Sequence, residues 1–190
     1  MAPINNWLIA LLLVFTFSTP ILPSTIGLGA WYEFGFDPNH SPLAAGCQPA
    51  DPSGVPCRDG IGSTFLGNSP WTFTAESLAE MTVTDAFLAG DSFDVFDFGA
   101  LMGSTPSVAT GGADCGLNPS ICFSAPGISH ASFVLPAGAH SITVGVHEAQ
   151  ILGEGFFRLD TVPEPSTFGV TALLLLTILL ARRRLMSGQS

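Results

Sequence analysis

Four aspartates, Asp85, Asp91, Asp94 and Asp97, crowd one short stretch of this 190-residue chain, the last three at intervals of three. Hard carboxylate oxygens at that density are what a calcium ion takes. In an extended strand, however, Asp91 and Asp97 share a face while Asp94 takes the opposite one. The EF-hand order of ligands is absent. The plainer reading is solvated or turn-capping acids, with Asp85 and Asp91 flanking a turn at Gly90. Calcium is the one cofactor these residues suggest. Hydrolysis of a glycosidic bond would need two carboxyl groups about 5–9 Å apart across a cleft. The chain carries 15 acids, so some such pair is guaranteed by number alone. No Gly-x-Ser-x-Gly elbow, phosphate loop, His-Glu-x-x-His helix or Cys–His nucleophile pair occurs, and the chain reads as no enzyme.

Four cysteines form two local pairs, Cys47 with Cys57 and Cys115 with Cys122. Four cysteines allow three connectivities, and short loops favour the local one. The rival, zinc held by cysteines with His40 or His130, matches no standard spacing. His130, His140 and His147 read as satisfied surface histidines. His140 and His147 fall on opposite faces of an uninterrupted strand. Trp31, Tyr32, Phe34 and Phe36 recur at near period two, and Trp71 with Phe73 repeats the habit. Exposed, they would stack on sugar rings as a carbohydrate-binding face; buried, they are core.

The elements that would carry these residues are strands. Met81 and Val83 alternate with Thr82 and Thr84. A turn at Ala89-Gly90 leads to the run Ser92 to Phe98, which reads as a hairpin. Ala131 to Leu135, the turn Pro136-Ala137-Gly138 and His140 to His147 read as a second hairpin, with Ile142, Val144 and Val146 on one side. Gly155 to Asp160 closes the series with Phe157 and Leu159 on one face. The nearest approach to a helix is Ala75 to Glu80, about one and a half turns. Many short strands between Gly/Pro turns predict an all-β fold, an antiparallel β-sandwich or jelly roll over residues 31–161.

Composition narrows the partners. Charged residues make up 11% of the chain and hydrophobic ones 47%. There is no Lys, and between Trp31 and Glu164 all 15 acids face two arginines, Arg58 and Arg158, for a formal charge of −13. Such a surface repels phosphate backbones, so nucleic acid is excluded as a partner.

Both ends point to export. An apolar run from Trp7 to Phe17 precedes Pro20, Pro23 and the small residues Gly27, Gly29 and Ala30, the pattern of a signal peptide over residues 1–30 cut near Gly29 or Ala30. At the other end Val162, Pro163, Glu164 and Pro165 precede an apolar stretch, Phe168 to Ala181, and then Arg182, Arg183 and Arg184. The apolar stretch reads as one short transmembrane helix, and the arginines as the stop-transfer charge that stays cytoplasmic. In an exported chain the two cysteine pairs are expected as disulfides.

Pro163-Glu164-Pro165, a short hydrophobic helix and a terminal arginine cluster resemble the PEP-CTERM sorting signal of bacterial surface proteins, also called the ice-binding protein C-terminal domain. Here the signal spans residues 162–185. The resemblance implies an exosortase, a membrane-embedded transpeptidase-like partner that cuts near the Pro-Glu-Pro, after export through the secretion translocon. It says nothing about ice. Thr84-Asp85, Gly90-Asp91-Ser92-Phe93, Gly138 to Ser141 and Gly155 to Arg158 also resemble a body found in many PEP-CTERM proteins, which implies no activity. The expectation is a non-enzymatic exported protein, anchored by its C-terminal helix and then placed at the cell surface or in the extracellular matrix. The alternative is a secreted carbohydrate- or calcium-binding module, with extracellular polysaccharide as its partner.

Overall fold

Alternation of large apolar side chains with small or polar ones decides which face of each strand turns inward. In the computed structural model, which describes residues 24–149 and 151–163, it builds twelve strands and one short helix. The first five strands are β1 (Ser24–Thr25), β2 (Trp31–Phe36), β3 (Cys47–Gln48), β4 (Val55–Pro56) and β5 (Ser63–Phe65). They are followed by β6 (Trp71–Ala75), β7 (Ala79–Asp85), β8 (Ser92–Asp97) and β9 (Ala100–Ser104). The chain ends on the helix α1 (Pro119–Ser124), then β10 (His130–Leu135), β11 (Gly138–Glu148) and β12 (Gly153–Thr161). The fold is therefore mostly β, as expected.

One five-stranded sheet runs β1-β6-β11-β8-β9 and the other β10-β7-β12-β2-β5; β3 and β4 form a small pair of their own. Most pairings are antiparallel, but β1–β6, β2–β5 and β3–β4 are parallel, which makes the sheets mixed. The inner faces meet in one aromatic core. Phe34 of the second sheet lies 5.8 Å from Trp71 and 5.3 Å from Phe93 of the first, and Trp71 lies 5.2 Å from Phe157. Met81, Val83, Leu135, Ile142, Val144 and Leu159 complete it. Gly155 is required opposite Phe34, because a Cβ there would sit 2.5 Å from the ring.

A second, smaller core lies on the outer face of the β2 sheet. Trp31 and Phe156 point outward there and are covered by Ala86, Ala89, Ile128 and the bridged Cys115 and Cys122. The covering connection contains α1, whose Asn118 cap accepts from the backbone N–H groups of Ser120 and Ile121, with Pro119 at the first helical position. The stretch Ala75 to Glu80 is not helical: it is the junction of β6 and β7.

Both expected hairpins are corrected. β7 pairs with β10 and β12, whereas β8 pairs with β11 and β9, so the Gly90 turn carries the chain from one sheet to the other. Likewise β10 pairs with β7 but β11 with β6 and β8, so Pro136-Ala137-Gly138 is a crossing rather than a hairpin turn. The cause is two-sided burial: each strand of these pairs must lay its apolar side on the shared core, which opposed sheets satisfy and a flat hairpin does not.

The ordered domain also begins upstream of Trp31. Ser24 and Thr25 pair with Trp71 and Thr72, Ile26 is buried in the main core, and the Gly29 N–H donates to the Leu159 carbonyl. At the other end the Val162 N–H donates to the Leu78 carbonyl at 2.9 Å. Among the described residues no helix is long and apolar enough to cross a membrane. The apolar leader up to Phe17, Glu164, Pro165, the stretch Phe168 to Ala181 and Arg182 to Arg184 lie outside the described residues.

Candidate functional site: a buried carboxyl pair beneath a disulfide loop

Residues 121 apart in the chain meet on the outer face of the β2 sheet. The β2–β12 register sets Glu33 opposite Phe156 and Gly35 opposite Glu154, so Glu33 and Glu154 are diagonal neighbours on one face. Both are buried. The loop between β3 and β5 closes over them. Glu33 Oε2 accepts from the Gly60 N–H at 3.1 Å and from the Ser63 hydroxyl at 2.9 Å. Glu154 Oε1 accepts from the Arg58 N–H at 3.0 Å. Gly60 must be glycine for this: a Cβ would fall 2.6 Å from Glu33 Oε2 and 2.2 Å from the Ser63 hydroxyl.

Glu33 Oε1 and Glu154 Oε2 are buried with no hydrogen-bond partner. Two buried carboxylates on neighbouring positions cannot both ionise cheaply, which favours the protonated form of the pair. Burial pushes the Glu33 carboxyl up to about 7; Ser63 and Gly60 oppose the shift, and the neighbouring Glu154 adds to it. Burial also raises Glu154, against the pull of the Arg58 N–H. Glu33 therefore keeps its proton to a higher pH than a solvated carboxyl.

The Cys47–Cys57 disulfide stands beside them. Glu33, Cys47 and Cys57 place ligating atoms within 4.8 Å of one another, but both sulfurs are bonded to each other, so no metal-binding thiolate is present. Cys115 and Cys122 form the second disulfide. Both expected local pairings are therefore present.

The four aspartates are not gathered into one cage. Asp85 is fully buried at the end of β7, accepting from the N–H groups of Ala86 at 2.8 Å and Asp91 at 3.2 Å. Burial, with the Asp91 charge, pushes it to about 8 against those donors. Burial lifts Asp91 to about 6. Asp94 faces outward, bonded to the Ser104 hydroxyl and to His147 Nδ1 at 3.1 Å. Asp97 binds His140 Nδ1 at 2.8 Å and the Ser141 N–H at 3.0 Å.

His140 departs from the surface reading. It is buried, stacked on Phe73 at 4.9 Å, and its Nε2 meets the Pro136 carbonyl at 2.9 Å. A shift in register between Val146 and Glu148 interrupts β11 ahead of His147. His130 bonds the Ile128 carbonyl through Nδ1. The aromatic set Trp31, Phe34, Phe36, Trp71 and Phe73 is buried, and Tyr32 is half-buried against the main core, which removes these rings as a sugar-stacking face.

Val162 is half-buried and Pro163 exposed, just beyond the end of β12. The Glu33–Glu154 pair escaped the motif search because its members belong to no short pattern. The available signal was a single acid, Glu33, inside the otherwise apolar run Trp31 to Phe36. Comparison with protein-family models, with curated proteins and with solved structures found no match to this chain.

Proposed function

We propose that this chain is a non-enzymatic exported protein of the cell surface or extracellular matrix: a disulfide-stapled β-sandwich of jelly-roll type, sorted by an exosortase through Pro163-Glu164-Pro165. The observation that carries the reading is the tail as a sequence: Pro163-Glu164-Pro165, an apolar stretch and three arginines follow closely on β12, which ends at Thr161. Among the described residues the last backbone hydrogen bond comes from the Val162 N–H to the Leu78 carbonyl, and the motif begins at the next residue. Two disulfides suit an oxidising compartment. The jelly-roll assignment rests on strand order: the eight longer strands fall as β6-β11-β8-β9 against β10-β7-β12-β2, with the chain crossing between sheets at most turns. The fully buried acids, Glu33 and Asp85, are engaged by backbone donors, which suits a structural role better than a catalytic one.

Intact mass of the protein recovered from culture medium and from membranes tests the sorting. The expected result is a released form that ends near Pro163-Glu164-Pro165 and has lost four hydrogens to two disulfides. A membrane form that keeps Arg182 to Arg184, with no shortened species in either fraction, overturns the exosortase reading. The same spectrum locates the first residue. A cut near Gly29 or Ala30 removes Ile26 from the core, whereas a cut before Ser24 keeps it there.

A further inference from the structure

The turn joining β8 to β9 is built from Phe98 and Gly99, with Asp97 paired to Ala100. Both central residues have positive φ, 47° and 79°. Two-residue turns of this kind favour Asn or Asp before Gly, since a bulky side chain in left-handed backbone is strained. Phe87 shares that backbone (φ 57°), but its ring packs on the smaller core beneath the Arg58 guanidinium. The Phe98 side chain has no such cover: the residue is 69% exposed. A strained backbone that presents an uncovered aromatic ring has no folding rationale, and strain of this sort concentrates at functional positions. The turn is also held in place, because the Phe98 N–H donates to the Ser141 carbonyl at 2.9 Å.

Beside that ring runs a shallow groove of about 450 Å³ on the outer face of the β6–β11 sheet, within the roughly 300–1,000 Å³ typical of small-ligand sites. Thr25, Thr72, Thr74, Ala139 and Ser141 line it, together with atoms of the otherwise buried Phe73 and His140. The β6–β11 register explains the grouping: Ser141 lies opposite Thr72 and Ala139 opposite Thr74, so three hydroxyl-bearing residues share one rigid face. No carboxylate or guanidinium lines the groove. The nearby Asp97 carboxylate is occupied by His140 and the Ser141 N–H.

We infer that this face binds a neutral polysaccharide, with a pyranose ring stacked on Phe98 and its hydroxyls bonded to Thr72, Thr74 and Ser141. A sugar ring offers an apolar C–H face and a polar hydroxyl rim, which are the two surfaces the groove presents. Charge selects the class: 15 acids against two arginines between Trp31 and Glu164 repel an anionic polymer. The inference stands apart from how the chain is sorted.

The test uses the full oxidised chain in a detergent without a sugar headgroup, run by affinity electrophoresis through gels containing a neutral glucan, galactan, mannan or xylan, with alginate as the anionic control. The expected result is retardation by at least one neutral polymer and none by alginate. Phe98→Asn, which suits the turn, should weaken the retardation ~10-fold or more while raising Tm by about 3 °C as the strain is relieved. Ser141→Ala should weaken retardation with Tm unchanged within about 2 °C. Mobility unaffected by all four neutral polymers overturns the inference, as does undiminished retardation of Phe98→Asn.

Discussion

Replacing Glu33 by glutamine tests the raised Glu33 carboxyl directly. In the unfolded chain the Glu33 carboxyl titrates near 4.5, whereas burial in the fold moves it to about 7. Between those values the folded protein holds a proton that the unfolded chain has released, so stability falls as pH rises through the window. This contribution is fully present below about pH 4.5 and gone above about pH 7. At about 1.36 kcal/mol per pKa unit, the loss is of order 3 kcal/mol. The substituted amide would stay neutral at every pH. Its carbonyl can still accept from Gly60 and Ser63, and its NH2 group can donate to Glu154, replacing the proton. Glu33→Gln should therefore sit within about 1 kcal/mol of the wild type at pH 5 and be more stable by about 2–3 kcal/mol at pH 8. For a domain of this size that gap is roughly 8 °C in Tm. The assay is thermal or urea unfolding of the oxidised protein from pH 4.5 to 8.5. A residual slope in the variant is expected, because Asp91 and Asp85 are raised to about 6 and about 8. A wild-type curve that is flat or rising from pH 5 to 8 would refute the raised Glu33 carboxyl. So would a variant equally destabilised at both ends.

Two further perturbations probe the loops that cover this face. The joint change Cys115→Ser and Cys122→Ser opens a bridge between residues seven apart, which should cost about 2–3 kcal/mol by chain entropy; hydrogen exchange should rise across residues 115–128 while the β6–β12 core amides stay protected, and a uniform rise would count against a local staple. Gly60→Ala drives a Cβ into Ser63 and Glu33 and should destabilise by about 2 kcal/mol at pH 5. Since the displaced loop admits water to Glu33, the pH slope of unfolding should flatten in the same variant, and an unaltered slope would show that Gly60 does not seal the pair.

How much of this was legible beforehand follows from the range of each interaction. Alternation along a strand is local, so WTFTA, with Trp71, Phe73 and Ala75 facing in, announces itself, as does Phe157 with Leu159. The disulfides were legible because short loops close easily. Strand pairing is different. Met81 to Thr84 and Ser92 to Phe98 look like the arms of a hairpin, yet β7 pairs with β10 and β12, and β8 with β11 and β9. Nothing local encodes that choice: it is decided by which arrangement buries both apolar faces at once. The same holds for chemistry. Asp85 to Asp97 are close in sequence but take separate partners, Asp85 the backbone of its own turn, Asp94 His147 and Asp97 His140, while Glu33 and Glu154 come from opposite ends of the domain to neighbouring positions on one face. The sequence by itself determined an acidic, lysine-free, all-β chain with two local disulfides and a sorting-signal-like tail. Only the tertiary structure decided which acids meet and which aromatic ring stays in water, because the β2–β12 register and the strained turn at Phe98 exist only once the sheets have closed.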